Sequence, residues 1–432
     1  MNVMLKTLPL NRFRIHLLCF IFLCCTGKDL YAVQASDGGK PWRNEKTKTV
    51  RPAKNPDVRN SYGGFAGEKV DSSGFFKLIE KGRKWWLVDP EGCLFFSVGM
   101  NSVEPERVNA SKASEWTEQT HKLLTEAGFN TIGRWSAPEL FHRHKQKIPW
   151  CSTQGFMKEY VKVRPKNRGK GGYPKETIPV FDPEWPEFCQ KFAEKKMRGT
   201  VDDPYLLGHF SDNELPFRPD ALLKYLSLPE EDYGHQAALA WLKENRISKG
   251  KADQAKVQAE FLEAVSKLYF ETVSKAIKAV DPNHLYIGSR LHGKTISEPV
   301  IKGAAVCDVI SINYYHHWVG DREQTKDWYK WSKRPFLVGE FYAMKVKSKR
   351  TNADGAGFRV LSHKDAGEFY HTYTHSLLKE HPNCVGWHWF KYADTNDDYQ
   401  KGIVSQYGKP HEELLEAMEV LNSQVYALRG LR

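Results

Sequence analysis

The sequence has no apolar run long enough to cross a bilayer. Its one candidate, Ile15–Cys25, falls short of the roughly 20 residues a spanning helix needs. It also has no cysteine framework. Of eight cysteines, Cys19, Cys24 and Cys25 lie in that N-terminal stretch, and Cys93, Cys151, Cys189, Cys307 and Cys384 are scattered and odd in number. No CxxC pair occurs. A disulfide-stapled scaffold and a structural zinc site are therefore excluded, and these cysteines read as small buried apolar residues. No internal repeat is present, which removes solenoids and propellers. No nucleic-acid-binding motif is present either. The acidic cluster Asp394, Asp397 and Asp398 lacks the spacing of a full calcium loop and reads as a solvated turn.

What is present fits a large globular domain. The chain has 432 residues, 41% of them apolar, with 13 Trp and 19 Tyr. That is more aromatic surface than a core needs, and such rings line sugar, peptide and nucleic-acid grooves. The formal charge of +12 suits an anionic partner, such as a sulfated or uronate polysaccharide, or simply keeps the surface soluble. Lys6, Arg12 and Arg14 ahead of Ile15–Cys25, with Ala32 or Ala35 as a small residue for cleavage, read as an export signal over residues 1–35. The expected location is secreted or periplasmic, with no membrane span once the signal is removed. A lipid anchor at Cys24-Cys25 is disfavoured, because Ile21-Phe22-Leu23 fits a lipidation box poorly. Residues 36–70 are polar and read as a flexible linker, leaving 71–432 as one domain.

That domain alternates. A hairpin, Phe75–Glu80 and Lys84–Val88 around Lys81-Gly82, comes first. Eight strand-type segments follow: Phe95–Asn101, Phe129–Trp135, Ile148–Trp150, Tyr205–Glu214, Leu285–Arg290, Val306–Tyr315, Phe336–Glu340 and Val385–Phe390. Helical periods separate most of them, for example Glu115–Ala127, Trp185–Met197, Phe261–Val280 and Asp365–Lys379. This order predicts an α/β fold, a (β/α)8 TIM barrel with an N-terminal β-hairpin lid over its N-terminal mouth and long βα loops. The long loops are 152–180, which carries the basic Lys166–Gly172 run, 216–256 and 343–364.

In such a barrel the reactive face is the C-terminal one. Two glutamates end strands there. Glu214 closes Tyr-Leu-Leu-Gly-His-Phe-Ser-Asp-Asn-Glu ahead of Pro216, and Glu340 closes Phe-Leu-Val-Gly-Glu. Asn101, Arg134 and Trp135, Asn213, Arg290 and His292, Asn313 and Tyr315, and Trp387-His388-Trp389 gather at the same ends. A carboxylate at a buried strand end is costly without a partner or a task. Two carboxylates flanking a bond are what glycoside hydrolysis requires.

The pattern Asn213-Glu214 on strand four with Glu340 on strand seven resembles the clan A glycoside hydrolases, which are retaining (β/α)8 enzymes. Asn313-Tyr314-Tyr315 and Trp387-His388-Trp389 are similar to the clan's strand-six and strand-eight patterns. Phe-Ser-Asp-Asn-Glu-Leu-Pro, Val-Gly-Glu-Phe and Gly-Trp-His-Trp-Phe-Lys-Tyr-Ala-Asp look most like the catalytic domain of glycoside hydrolase family 50, the β-agarase-like enzymes. The resemblance covers roughly Phe75–Leu421. That family commonly carries a further N-terminal β-domain; about 40 residues are expected ahead of the barrel here, a departure that weakens the transfer of agarose as the substrate.

The resemblance implies Glu214 as acid/base and Glu340 as nucleophile. It implies Asn213 on the sugar 2-hydroxyl, and Tyr315 and Arg134 bonded to Glu340. Trp387 or Trp389 would stack on the sugar. Arg290, His292 and Asn313 complete the expected substrate-binding set. No metal and no cofactor are called for. The expected partner is a polysaccharide or oligosaccharide of galactan type, agarose-, porphyran- or carrageenan-like and sulfated or neutral, and not nucleic acid. The alternatives are a clan A enzyme for another β-linked glycan (β-galactoside, mannan or glucan) and a non-catalytic glycan-binding barrel.

Overall fold

The computed structural model describes residues 50–431 apart from 106–111, 143, 146, 165–171 and 347–355. The export segment, residues 36–49 and all but the last residue of the Lys166–Gly172 run lie outside the described residues.

The chain opens with β1 (Phe65–Lys69), β2 (Lys77–Lys81), β3 (Lys84–Val88) and β4 (Cys93–Phe95), which form a sheet in the order β1-β4-β3-β2. Gly82 and Arg83 turn the β2–β3 hairpin, with φ of 59° and 61°. Both central residues of a type I′ turn need that left-handed region. The barrel strands are β5 (Ser97–Met100), β6 (Thr131–Ile132), β7 (Trp150–Thr153), β8 (Leu206–Asn213), β9 (Leu285–His292), β10 (Ile310–Asn313), β11 (Phe336–Phe341) and β14 (Cys384–Trp389). They close in chain order, each parallel to its neighbours, with β14 paired to β5. Between β11 and β14 the chain adds β12 (Ala343–Val346) and β13 (Phe358–Val360). With β15 (Tyr399–Gln400) these form a small sheet.

The expected barrel is therefore the one observed, with strand ends shifted by a few residues. The hairpin is part of a four-stranded sheet and acts as a lid. Its Phe76, Leu87 and Phe95 pack with Leu207, Leu285, Ile287, Val309, Leu337 and Val385, apolar residues from the first halves of the barrel strands. Burial of this layer seals the N-terminal mouth and leaves the C-terminal mouth for polar side chains.

Residues 50–70 are a correction. Polar composition suggested a free linker, yet Asp57 accepts the backbone N–H groups of Tyr426 (2.8 Å) and Ala427 (3.0 Å). Arg59 donates to the Gly128 carbonyl at 3.0 Å, and Tyr62 stacks on Tyr205 at 4.4 Å. The polar side chains are spent on backbone groups of the barrel's outer layer, which composition cannot reveal. The Asp394 cluster is a second correction. Asp394 is buried rather than solvated; it accepts from the Gly402 N–H (2.7 Å) and faces His411 Nε2 (2.7 Å), pinning the loop after β14.

Among the described residues, His209, Asp281 and His284 bring metal-ligand atoms within 4.8 Å of one another. All of those atoms are already used. Asp281 meets His209 Nε2 and His284 Nδ1, each at 2.8 Å; Ser152 Oγ lies 2.6 Å from His209 Nδ1, and the Asp203 carbonyl 2.9 Å from His284 Nε2. The trio ties β7, β8 and β9 to the end of the long helix Ala255–Val280. No helix of the described residues is long and apolar enough to cross a membrane.

Burial alone would raise the Asp281 carboxyl, but the two histidines outweigh it and hold the group below its ordinary 3.8. Its stabilising contribution is then complete above the unfolded carboxylate's pKa of about 3.9 and declines as pH falls below it. Asp281→Asn should lower the unfolding free energy by about 3 kcal/mol at pH 7 in urea titration, with the gap to wild type narrowing in acid. An equal midpoint at pH 7 would contradict a structural role.

Candidate active site

Four residues just past barrel strands sit in the left-handed region without being glycine: Ser102, Trp135, Glu214 and His316, with φ of 55°, 61°, 52° and 63°. Each such conformation costs on the order of 1 kcal/mol and persists where the surroundings over-determine it. All four lie at C-terminal strand ends.

Glu214 follows β8 and is exposed. Its N–H donates to the Arg290 carbonyl (2.9 Å), and its Oε1 accepts from Asn313 Nδ2 (2.8 Å). The same amide lies 3.4 Å from Asn213 Oδ1. Glu340, on β11, is buried with 6% of its surface exposed. Its Oε1 pairs with Arg290 Nη2 at 2.7 Å, and Trp135 Nε1 approaches the same oxygen at 3.4 Å. Its Oε2 accepts from the Tyr315 hydroxyl at 2.7 Å. Burial and the adjacent Glu340 carboxylate push that hydroxyl well above its ordinary 10, so Tyr315 remains a donor across the working pH range.

Arg290 is therefore the ion-pair partner of Glu340 rather than a residue at the cleft surface. It is fully buried, and Nη2 also donates to the Gly339 carbonyl at 2.7 Å. Arg134, expected on Glu340, instead donates to the Asp212 carbonyl (3.1 Å) and lies 4.3 Å over the Trp135 ring. Burial and the neighbouring Arg290 hold its guanidinium down to about 9, with Asp212 and Glu340 acting against them. Asp212 is buried as well. It accepts from the N–H groups of Met157 and Lys158 and from the Tyr269 hydroxyl, and burial raises it to about 6.

Trp387 and Trp389 need correction. Both are fully buried on the outer face of β14, where Trp387 Nε1 donates to the Tyr370 hydroxyl and Trp389 Nε1 to the Lys401 carbonyl, each at 3.0 Å. Side chains alternate along a strand, so His388 takes the inward position, with Nε2 2.9 Å from Ser97 Oγ. Burial and Arg290 hold His388 down to about 3, so the ring is neutral. The aromatic groups that do reach the carboxylates' surroundings are Trp135 and, beside Tyr315, Tyr342 (rings 5.4 Å apart). Lys401 covers Tyr342 and Phe390 at 4.7 and 4.9 Å. His292 is half-buried, with its ring edge-on to Tyr315 at 5.6 Å.

Trp135 and Gly339 also serve the site, beyond the residues that the resemblance implies. Trp135 directly follows Arg134 at a strand end, which was the available signal. Gly339 precedes Glu340, and a Cβ there would lie 2.9 Å from Asn313 Oδ1 and 3.0 Å from both Arg290 Nε and Ser311 Oγ. Only glycine lets these side chains close on the strand.

Comparison with known proteins agrees with this architecture. No family model matches the chain. It is 26% identical to beta-agarase B of Vibrio sp. (strain JT0107), across 86% of this chain and 50% of that protein. It is 27% identical to beta-agarase A of the same organism, across 72% and 36%. The chain thus spans half or less of the length of these curated relatives. The crystal structure of BpGH50 superposes with a TM-score of 0.76 at 27% identity, covering 90% of this chain and 98% of that one. An exo-beta-agarase structure superposes at 0.73 with 20% identity, over 88% of this chain and 69% of that one, a likeness of fold.

Gly339→Ala should displace Arg290 and Asn313 together. Since a misplacement of about 1 Å can cost on the order of 100-fold, kcat/KM should fall at least that far while the circular dichroism spectrum is kept. Near-normal turnover would show that the close approach is unnecessary.

Proposed function

We propose that this chain is a secreted glycoside hydrolase of family 50 type, cleaving β-glycosidic bonds of a galactan polysaccharide or its oligosaccharides by a retaining, two-glutamate mechanism. The observation that carries the reading is the unequal setting of the two carboxylates. Glu340 is buried and held at both oxygens by Arg290 and Tyr315; Glu214 is exposed, with one oxygen held by Asn313. The β-agarase relatives support the substrate class, and the BpGH50 likeness supports the family type.

Each carboxylate has one task. Glu340, oriented by its three donors, attacks the anomeric carbon and forms a glycosyl ester. Glu214 gives its proton to the leaving oxygen through the oxygen that Asn313 does not hold, then takes a proton from the water that cleaves the ester. Asn213 meets the sugar 2-hydroxyl, a contact that strengthens toward the transition state. Trp135, rather than Trp387 or Trp389, is the aromatic face beside the reacting centre. Arg134 holds Trp135 in place from below. His292 binds at the rim.

Glu214→Gln should lower kcat by roughly 10²–10⁴-fold with thermal stability near wild type. Glu340→Gln should abolish turnover and also lower stability, because it leaves Arg290 buried without its ion-pair partner. Near-wild-type turnover in either variant would remove the assignment. Proton NMR of early product from defined red-algal oligosaccharides should show the β-anomer first. An α-anomer first would replace the ester with direct attack by water, with Glu340 as base.

A further inference from the structure

Beyond the carboxylates, a groove of about 570 Å³ opens between the helix Ala113–Glu126 and the loop that follows β14. Its size falls within the roughly 300–1,000 Å³ of small-ligand sites. Trp116 and Tyr392 meet edge-on within it at 6.0 Å, and the Tyr392 hydroxyl lies 2.9 Å from Thr120 Oγ1. Tyr407 also lines it and is 78% exposed.

That ring is not on a loose loop. Ser405 N–H donates to the Lys409 carbonyl (2.8 Å) and Gly408 N–H to the Ser405 carbonyl (2.9 Å). Ser405 Oγ accepts from the N–H groups of Tyr407 (3.3 Å) and Lys409 (3.1 Å). Gly408 takes φ of 80°, which the turn requires. A closed turn thus presents a large aromatic side chain outward, where it adds nothing to the core. Such a ring binds at low entropic cost.

The chemistry of the lining selects the occupant. Aromatic faces stand beside amide and hydroxyl groups from Gln119 and Ser405, and the one charge among the described lining residues is Glu104. Rings stack on pyranose C–H faces while hydroxyls and amides exchange hydrogen bonds, and no cation among the described lining residues stands ready to hold a sulfate. One wall of the groove is tied to the catalytic end of the barrel through buried hydrogen bonds. Tyr392 N–H donates to the Asn101 carbonyl at 2.9 Å, and Asn101 Nδ2 donates to the Gly339 carbonyl at 2.9 Å.

We propose that this groove is a second binding site for a neutral stretch of the same galactan chain that is cut at Glu214 and Glu340. It rests on the glycosidase reading above. Tyr407→Ala in the full chain should raise KM for soluble agarose about five- to tenfold, the value of one lost stacking contact, with kcat unchanged. KM for a short neoagaro-oligosaccharide should not change, and Tyr407→Phe should restore the polymer KM. In a Glu340→Gln background, Tyr407→Ala should also weaken retardation in agarose-containing native gels. An unchanged polymer KM and retardation would overturn the proposal. So would an equal rise for short and long substrates, which would place Tyr407 in the catalytic cleft. A wild-type chain neither active on nor retarded by any galactan would remove the glycosidase reading along with it.

Discussion

The ion pair between Arg290 and Glu340 is the constraint on which the mouth of the barrel depends. Both groups are buried, at 0% and 6% exposure. Taking them out of water costs several kcal/mol per ion, and only close geometry with further hydrogen bonds offsets that. The further bonds are present: Gly339 accepts from Arg290, and Tyr315 donates to Glu340. Losing either partner would leave the other buried and uncompensated, a penalty of about 3–5 kcal/mol. The pair therefore holds its strands together and also fixes the direction of the Glu340 carboxylate.

Strand order turns that pair into a reactive geometry. β10 lies between β9 and β11, so Arg290 reaches Glu340 past the strand that carries Asn313. Asn313 in turn holds Glu214 from β8. Four consecutive strands thereby set both carboxylates through two side chains, and Gly339 leaves the room for them. Asp212 and Arg134 add a second brace: the Asp212 carbonyl accepts from Arg134, whose guanidinium lies under Trp135 beside Glu340. Two buried cations so close repel, and Asp212 and Glu340 offset that repulsion.

The barrel and its two glutamates were legible because each barrel strand is buried on both faces. Near-continuous apolar runs then end abruptly in polar residues, as at Asn213-Glu214 and Gly339-Glu340. Directions across a strand were less legible. Trp387 and Trp389 share a face, but nothing local says whether that face looks inward; His388 won the interior because Gly99 and Gly133 leave room for its ring. Arg290 took the contact with Glu340 expected of Arg134 for the same reason, since reach across neighbouring strands depends on barrel stagger. Residues 50–70 hid their attachment because many of their contacts run from polar side chains to backbone groups, and isolated rings such as Tyr62 leave no periodicity.

Reaction with an activated 2-deoxy-2-fluoro-β-galactoside, followed by peptide mass spectrometry, tests the roles of the two glutamates most directly. The fluorine slows both formation and breakdown of a glycosyl ester, and the activated leaving group restores formation alone, so the ester accumulates. With Glu340 as the attacking group, the enzyme should inactivate with time and carry one sugar on the peptide containing Val338-Gly339-Glu340. Complete turnover without a label, or a label on the peptide bearing Glu214, would contradict it.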